Sequence, residues 1–381
     1  MTDQARAQFF GSHLPLGVHP ETKDTFFVPL TDLFSGTLLQ GVQGVGKSGL
    51  MENLIAYSIR LGLSVIVVDP HGDLVDHAVA QLPDTVLDRV SLLDMTDEEY
   101  PFGVNVFSVQ QNSSSIAQAQ SIDRIVHIFN VLWPETEAQQ NLPRYLRAAI
   151  ITLLANPGST LVDMYRILRR PSERQVLLQR VTDPTVLEFW QSHDALTESA
   201  QMQQVAPLIN RLEALFMGRS LVRNIVGQRC TTIDFRKAIE HREIIFIKLP
   251  IKTVADARLI GTMLIAQIHA ALFSFADTPL ERRPGFALVV DEFQNFATPD
   301  FAELFSEGRK FGVRVVLAHQ YRNQLPDYLQ DATMTARTKV IFQVTPDDAR
   351  ELASLFPSSE ARVQPEDLEA EVTRHLLKGI R

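Results

Sequence analysis

Eight consecutive residues, Gly41-Val42-Gln43-Gly44-Val45-Gly46-Lys47-Ser48, have the spacing of a loop built to hold phosphate. The glycines let backbone N–H groups turn inward around an anion, and a following helix would present the positive end of its dipole. Lys47 is placed to reach the β and γ oxygens of a nucleotide, and the Ser48 hydroxyl to ligate Mg2+. The wrapping backbone is expected from Gly41 and from Gln43 through Gly49. A glycine turn with no ligand is the plain alternative, and the flanking residues argue against it. A short apolar run, Thr37–Gln40, leads into the loop, and Leu50, Met51, Leu54, Ile55 and Ile59 follow at helical spacing. Gly62 stands where that helix would need a C-terminal cap.

A second constellation is Phe286-Ala287-Leu288-Val289-Val290-Asp291-Glu292. An apolar strand of this kind delivers Asp291 to the carboxyl edge of a sheet, where it can support the magnesium. Glu292 is then placed to orient and deprotonate a water. Acidic pairs after apolar strands are common, so the phosphate loop is what gives this pair meaning: together they point to ATP hydrolysis. Gln320 follows the strand-like run Val313–Ala318 and reads either as a strand-end amide or as a sensor beside the γ-phosphate. Arg309 precedes that run and reads either as a solvated helix charge or as an arginine projecting toward a neighbouring subunit's nucleotide. His319 is expected to pack rather than catalyse. Asp69, ending Val65–Val68, either caps a turn or joins the hydrogen bonds beside the phosphate loop.

These residues must be positioned by alternating strands and helices. A hairpin is expected over 12–30, then strands at Thr37–Gln40, Val65–Val68, Val90–Leu93, Ile244–Leu249, Ala287–Val290, Val313–Ala318 and Lys339–Val344. Helices are expected near Val254–Phe275, Ala302–Phe311 and Pro346–Phe356, the last capped by Thr345. The fold class is therefore α/β, a mostly parallel sheet covered on both faces. Between 113 and 225 strand patterns vanish and helical spacing takes over, as in Ile122, Ile125, Val126 and Phe129. This predicts an all-helical insertion at 113–225 in a nucleotide-binding domain formed by 1–112 and 226–381.

The chain has 381 residues, 45% hydrophobic and 21% charged, an ordinary globular composition. Its single cysteine, Cys230, excludes an intrachain disulfide framework and is expected to be a buried structural thiol. No run reaches the ~18 apolar residues of a membrane span, and Met1–Gln8 lacks a signal-peptide core, so a cytoplasmic protein is expected, one that meets a membrane only through partners. Net charge is −9, against a surface that coats nucleic acid throughout. Arginines nonetheless crowd 141–180, at 144, 147, 166, 169, 170, 174 and 180, with a second basic stretch over Arg219–Arg242. These read as solvated helix faces or as a basic inner surface. An acidic segment, Glu366–Glu371, comes shortly before the end of the sequence, and whether the chain is truncated there stays open.

With these motifs in place the chain resembles the FtsK–HerA superfamily of ring-forming DNA pumps, and within it the cytosolic ATPase domain of conjugative type IV secretion coupling proteins. The resemblance spans Leu16 to Phe356. It rests on the phosphate loop, Val68-Asp69-Pro70-His71-Gly72-Asp73, Pro207–Leu212, Val290–Phe296, Gly308–Gly312, Ala318-His319-Gln320, Lys339–Val344 and Asp348-Ala349-Arg350. It implies a RecA-like ATPase using ATP and Mg2+, a homo-hexameric ring around DNA bound without regard to sequence, and secretion or mobile-element protein partners. It also implies that Arg309 acts on the neighbouring subunit's ATP and that Gln320 is a sensor. Coupling proteins begin with membrane-spanning helices and none precedes the hairpin here, which weakens the secretion role but not the motor. Two other readings stay open: a HerA-type helicase or translocase of repair or phage defence, and a non-translocating P-loop switch that gates a protein partner.

Overall fold

Strands β4 (Ser64–Asp69) and β7 (Phe286–Val290) are buried at every position, which is why their sequences read as unbroken apolar runs rather than alternating ones. The computed structural model describes residues 13–18, 22–29, 32, 36–108, 115–133, 141–217, 220–250, 257–276, 278–279 and 282–353. The chain divides into two compact units. One comprises 1–93, 235–250 and 269–381, the other 94–234 and 251–268.

The first unit holds the expected hairpin, β1 (His13–Val18) paired antiparallel with β2 (Thr25–Pro29). Its main sheet also contains β3 (Thr37–Gln40), β5 (Val90–Asp94), β6 (Ile244–Lys248), β8 (Val313–His319) and β9 (Thr338–Ile341). The order is β5-β6-β4-β7-β8-β3-β9, and the β6–β4, β4–β7, β7–β8, β8–β3 and β3–β9 pairs are all parallel. This is the RecA-like arrangement expected from the sequence. Helix α1 (Lys47–Arg60) buries Leu50, Met51, Leu54, Ile55 and Ile59 in the core formed with Val65, Val67, Phe246 and Val289. Its end is closed by a paired cap, Gly62 N–H donating to Ile59 O and Leu63 N–H to Ser58 O. Helix α2 (Asp73–Ala80) packs beside it through Leu74, Val75 and Ala78.

Three expectations need correction. Strand β9 stops at Ile341 rather than Val344, because its partner β3 ends at Gln40. The next residues serve the loop instead, Gln343 O accepting from Val42 N–H at 2.8 Å. The helix expected to run through Phe311 breaks at Gly308 into a helix, Pro299–Glu307, and a 3-10 turn, Gly308–Phe311, that carries Arg309. Cys230 is exposed, not buried: its backbone carbonyl lies against Gly103, where a Cβ would come within 2.5 Å, and the thiol faces solvent. The acidic segment 366–371, Arg219 and the start of the helix expected from 254 lie outside the described residues.

In the second unit, α3 (Ser115–Leu132), α4 (Leu142–Leu154), α5 (Leu161–Arg169), α6 (Pro171–Leu178), α7 (Pro184–Asp194), α8 (Glu198–Phe216) and α9 (Ser220–Val226) form a helical bundle. Helix α4 packs against α3 and α5 through α8. No helix among the described residues is long and apolar enough to cross a membrane. Four exposed arginines of this unit are paired with carboxylates. Arg147 meets Asp123 at 2.5 Å, Arg166 meets Asp163 at 3.1 Å, Arg169 meets Glu213 at 2.5 Å and Arg170 meets Glu173 at 2.6 Å. Arg174 differs in kind: it is fully buried, bonded to Asp194 and Ile167 O, and lies 4.8 Å from the Trp190 ring centroid.

Exposed pairs hold little free energy, whereas removing one partner of a buried pair strands the other. Arg174→Ala is therefore expected to cost roughly 3 kcal/mol, and Arg170→Ala under ~0.5 kcal/mol. Thermal unfolding followed by circular dichroism checks the contrast, and equal effects would contradict it.

Candidate functional site

Every residue that reads as chemistry in the first unit, except Arg309 ahead of β8, sits at the carboxyl edge of the sheet. Strand β3 ends at Gln40 and the chain turns at Gly41, where a side chain is excluded: a Cβ would lie 2.6 Å from Phe342 Cβ and 3.2 Å from Gln343 O. The loop closes at Gly46, the N-cap of α1, with φ +99°, a left-handed backbone that favours glycine. No side chain caps α1, so its first N–H groups, with Ser48 and Gly49 exposed beside them, remain for an anion. Lys47 curls back over the loop and donates to Gly41 O (2.5 Å) and Val42 O (3.0 Å). Burial lowers the Lys47 pKa, while Glu292 and Asp291 oppose that shift and mark how near they lie.

Asp69 ends β4 and Asp291 follows β7, on the adjacent strand, with Asp291 N–H donating to Val68 O at 3.0 Å. Asp69 is fully buried and caps the turn into α2, Oδ1 accepting from His71 N–H (2.8 Å) and Oδ2 from Val75 N–H (3.1 Å). Asp291 is pushed up to about 7, first by burial, then by the Glu292 and Asp69 carboxylates, with the Glu292 N–H and Lys47 pulling the other way. Glu292 has φ +44° and ψ +47°, a left-handed conformation costing a non-glycine residue about 1 kcal/mol. It is 5% exposed, and its Oε1 accepts from Gln320 Nε2 at 2.8 Å.

The structure thus brings together Lys47, Asp291, Glu292 and Gln320. His319 is fully buried, edge-on to Phe293 at 5.6 Å, and burial pushes it down to about 4, so it packs as a neutral ring. Arg309 is placed only by its backbone, in the 3-10 turn ahead of β8; its side chain lies outside the described residues. Three residues went unassigned in the sequence. Gln294 Nε2 donates to Glu292 Oε2 at 2.5 Å. Asp348 is buried behind the loop strand and accepts from Gln40 Nε2 at 3.1 Å, and Arg322, also buried, pairs with Glu351 at 2.7 Å. The polar residues inside Val290–Phe296 and Asp348–Arg350 were the only signal for Gln294 and Asp348, and nothing in the sequence marked Arg322.

The family profile described as the central domain of helicase HerA matches residues 38–268, more than half of the chain. The chain belongs to the HerA helicase central-domain family. It is therefore an FtsK–HerA superfamily member with a P-loop ATPase fold. A second profile, the TraM recognition site of TraD and TraG, matches residues 286–365. Among solved structures, the plasmid coupling protein TrwB with a non-hydrolysable GTP analogue superposes with TM-score 0.60 at 13% identity, over 93% of this chain and 80% of that one. TrwB in complex with ADP and Mg2+ gives 0.61 at 14% identity, over 93% and 84%. VirB4 of Thermoanaerobacter pseudethanolicus gives 0.58 at 14% identity, over 91% and 88%. A search of curated protein sequences finds no match.

The residues of this HerA-type core fit a magnesium nucleotide. The uncapped helix start and the side-chain-free turn at Gly41 leave a backbone cradle for phosphate. No group of three or more metal-ligating side chains exists among the described residues, so a cation here would need phosphate oxygens and water beside Ser48 and Asp291, as Mg2+ does. Replacing Asp69 by alanine strips the acceptor from two N–H groups. Asp69→Ala is expected to speed hydrogen exchange at His71 and Val75 by about tenfold, the equivalent of ~1.4 kcal/mol. Unchanged exchange would place the cap elsewhere.

Proposed function

We propose that this protein is a ring-forming, ATP-driven DNA translocase of the coupling-protein type. The observation that carries the reading is the Glu292 carboxylate, buried next to Asp291 and bonded to Gln320 at 2.8 Å, on the sheet edge that also bears the Lys47 loop. Lys47 binds the β and γ oxygens, exchanging its two loop carbonyls for phosphate. Ser48 and Asp291 hold Mg2+, which when bound offsets the charge on the phosphates. Glu292 orients a water and takes its proton as the water's oxygen bonds to the γ-phosphorus and the bond to ADP breaks. Gln320 reports the loss of the γ-phosphate through its bond to Glu292. Residues 1–112 and 226–381 form the RecA-like motor, and 113–225 the helical insertion whose exposed arginines face DNA, sequence-independently. Six copies form the ring, cytoplasmic and in contact with secretion or mobile-element proteins. The likeness to TrwB, a bacterial conjugative coupling protein, supports this reading. The profile match over 38–268 favours a second one, a HerA-type helicase or translocase of repair or phage defence.

The experiment that tests the motor is ATP turnover with and without single- and double-stranded DNA. Turnover is expected to rise with DNA, to vanish in Lys47→Ala, and to fall by orders of magnitude in Glu292→Gln while nucleotide binding persists. DNA-independent turnover would instead favour a P-loop switch that gates a protein partner, and wild-type turnover by Glu292→Gln would remove the base assignment.

Arg309 tests the ring. An arginine acting in trans works only across an interface, so Arg309→Ala is expected to bind nucleotide normally and to lose up to ~10³-fold in turnover. Mixed with Lys47→Ala, it forms some interfaces that pair an intact loop with an intact arginine. Partial recovery on mixing is expected. No recovery in rings proven to be mixed would assign Arg309 to its own subunit or to the fold.

A further inference from the structure

We infer that Gln294 is a positioning residue for Glu292, the fixed half of a two-amide clamp whose other half is Gln320. The inference rests on the hydrolytic reading above and adds a residue to it. Glu292 is held by both oxygens: Gln320 Nε2 donates to Oε1 at 2.8 Å and Gln294 Nε2 to Oε2 at 2.5 Å. An ionised carboxylate only accepts hydrogen bonds, so both glutamines must present nitrogen to it. For Gln294 this orientation carries a penalty. Its Oε1 is turned to a buried position where it has no hydrogen-bond partner among the described residues. An orphaned acceptor is unfavourable, and a charge-assisted bond to a carboxylate is what outweighs it.

The two amides differ in how they are anchored. Gln294 lies in the 3-10 turn Phe293–Phe296, pinned by the fully buried Phe293 and Phe296 rings. In the same turn Asn295 returns its N–H and its Nδ2 to Glu292 O, each at 3.0 Å. Gln294 therefore moves with the backbone that sets Glu292, including its φ of +44°. Gln320 comes from a different element, just past the end of β8. When Gln320 turns to the γ-phosphate, Oε1 is released to accept the water's proton, and Gln294 keeps Oε2 fixed so that the carboxylate still points at the reacting atoms. Gln294 touches neither nucleotide nor water; its effect passes through Glu292.

The test is a double-mutant cycle on the full chain. Gln294→Leu keeps the volume and removes the amide; Gln294→Ala, at a half-buried position, guards against a packing fault in the leucine variant. Both are expected to lower kcat about tenfold or more through misplacement of Glu292, with KM and the affinity for a fluorescent ADP analogue within about twofold of wild type. In a Glu292→Gln background the same changes are expected to add nothing, since the group they position is already gone. Wild-type kcat in both variants would overturn the inference. So would a fall in nucleotide affinity parallel to kcat, or a loss that repeats in full on Glu292→Gln. If Glu292→Gln itself turned over at the wild-type rate, the reading of Glu292 would fall, and the inference with it; a dead Glu292→Gln beside a normal Gln294→Leu sinks only the inference.

Discussion

The site depends on the parallel register of four strands. Gln40 of β3 pairs with His319 of β8, Leu317 of β8 with Val290 of β7, and Val290 with Val68 of β4. The residues that follow these pairs, Gly41, Gln320, Asp291 and Asp69, all stand at one edge of the sheet. Nothing in the loop alone could place a phosphate cradle and a carboxylate pair together across some 250 residues of chain. Register does, and burial on both faces holds it, because slipping any of these strands by one residue would invert every side chain. The helical segments can therefore vary in length between strands without moving the site.

That shared edge concentrates charge. Asp69, Asp291 and Glu292 are all buried within one small region, faced by Lys47. The consequences are visible in the protonation behaviour of Asp291, in the left-handed backbone of Glu292 and in the orphaned amide oxygen of Gln294. Each is locally unfavourable, and all three lie within four residues. The surrounding sheet is apolar and well paired, so it can support this strain. Clustering of unfavourable features in one place is how a fold accommodates a reacting centre.

What the sequence made legible follows from what is local. The phosphate loop, the fully buried strands and the hairpin each announce themselves within a few residues. The 3-10 turn at Arg309 was missed because helical spacing continues through Gly308, and only the glycines at 308 and 312 marked the break. Strand β9 was drawn too long because its limit is set by β3, some 300 residues away. Cys230 differs from its expected burial because composition speaks for cysteines on average, while exposure is set by where the chain places the one residue. Gln294 carried a signal only as one of two polar residues between two phenylalanines, and its partner oxygen could not be read from spacing.

The arginines of the helical unit show the same limit, and they bear on DNA. The charge count treated seven arginines as alike. Distance now separates them: partners 24 and 44 residues away, Asp123 and Glu213, hold Arg147 and Arg169, while Arg174 is sealed against Trp190. Pairing does not withdraw the exposed ones from a polyanion. Each such pair is worth about 0–1 kcal/mol, whereas a phosphate offers a full charge, bidentate geometry and the release of condensed counterions. DNA bound as proposed would therefore displace Asp123, Glu173 or Glu213 at small cost. It would gain nothing from Arg174, whose withdrawal would leave Asp194 uncompensated and break the packing of α6 on α7. On the proposed reading the arginines open to DNA are therefore the exposed ones, Arg144, Arg147, Arg166, Arg169, Arg170 and Arg180, and the buried Arg174 belongs to the fold.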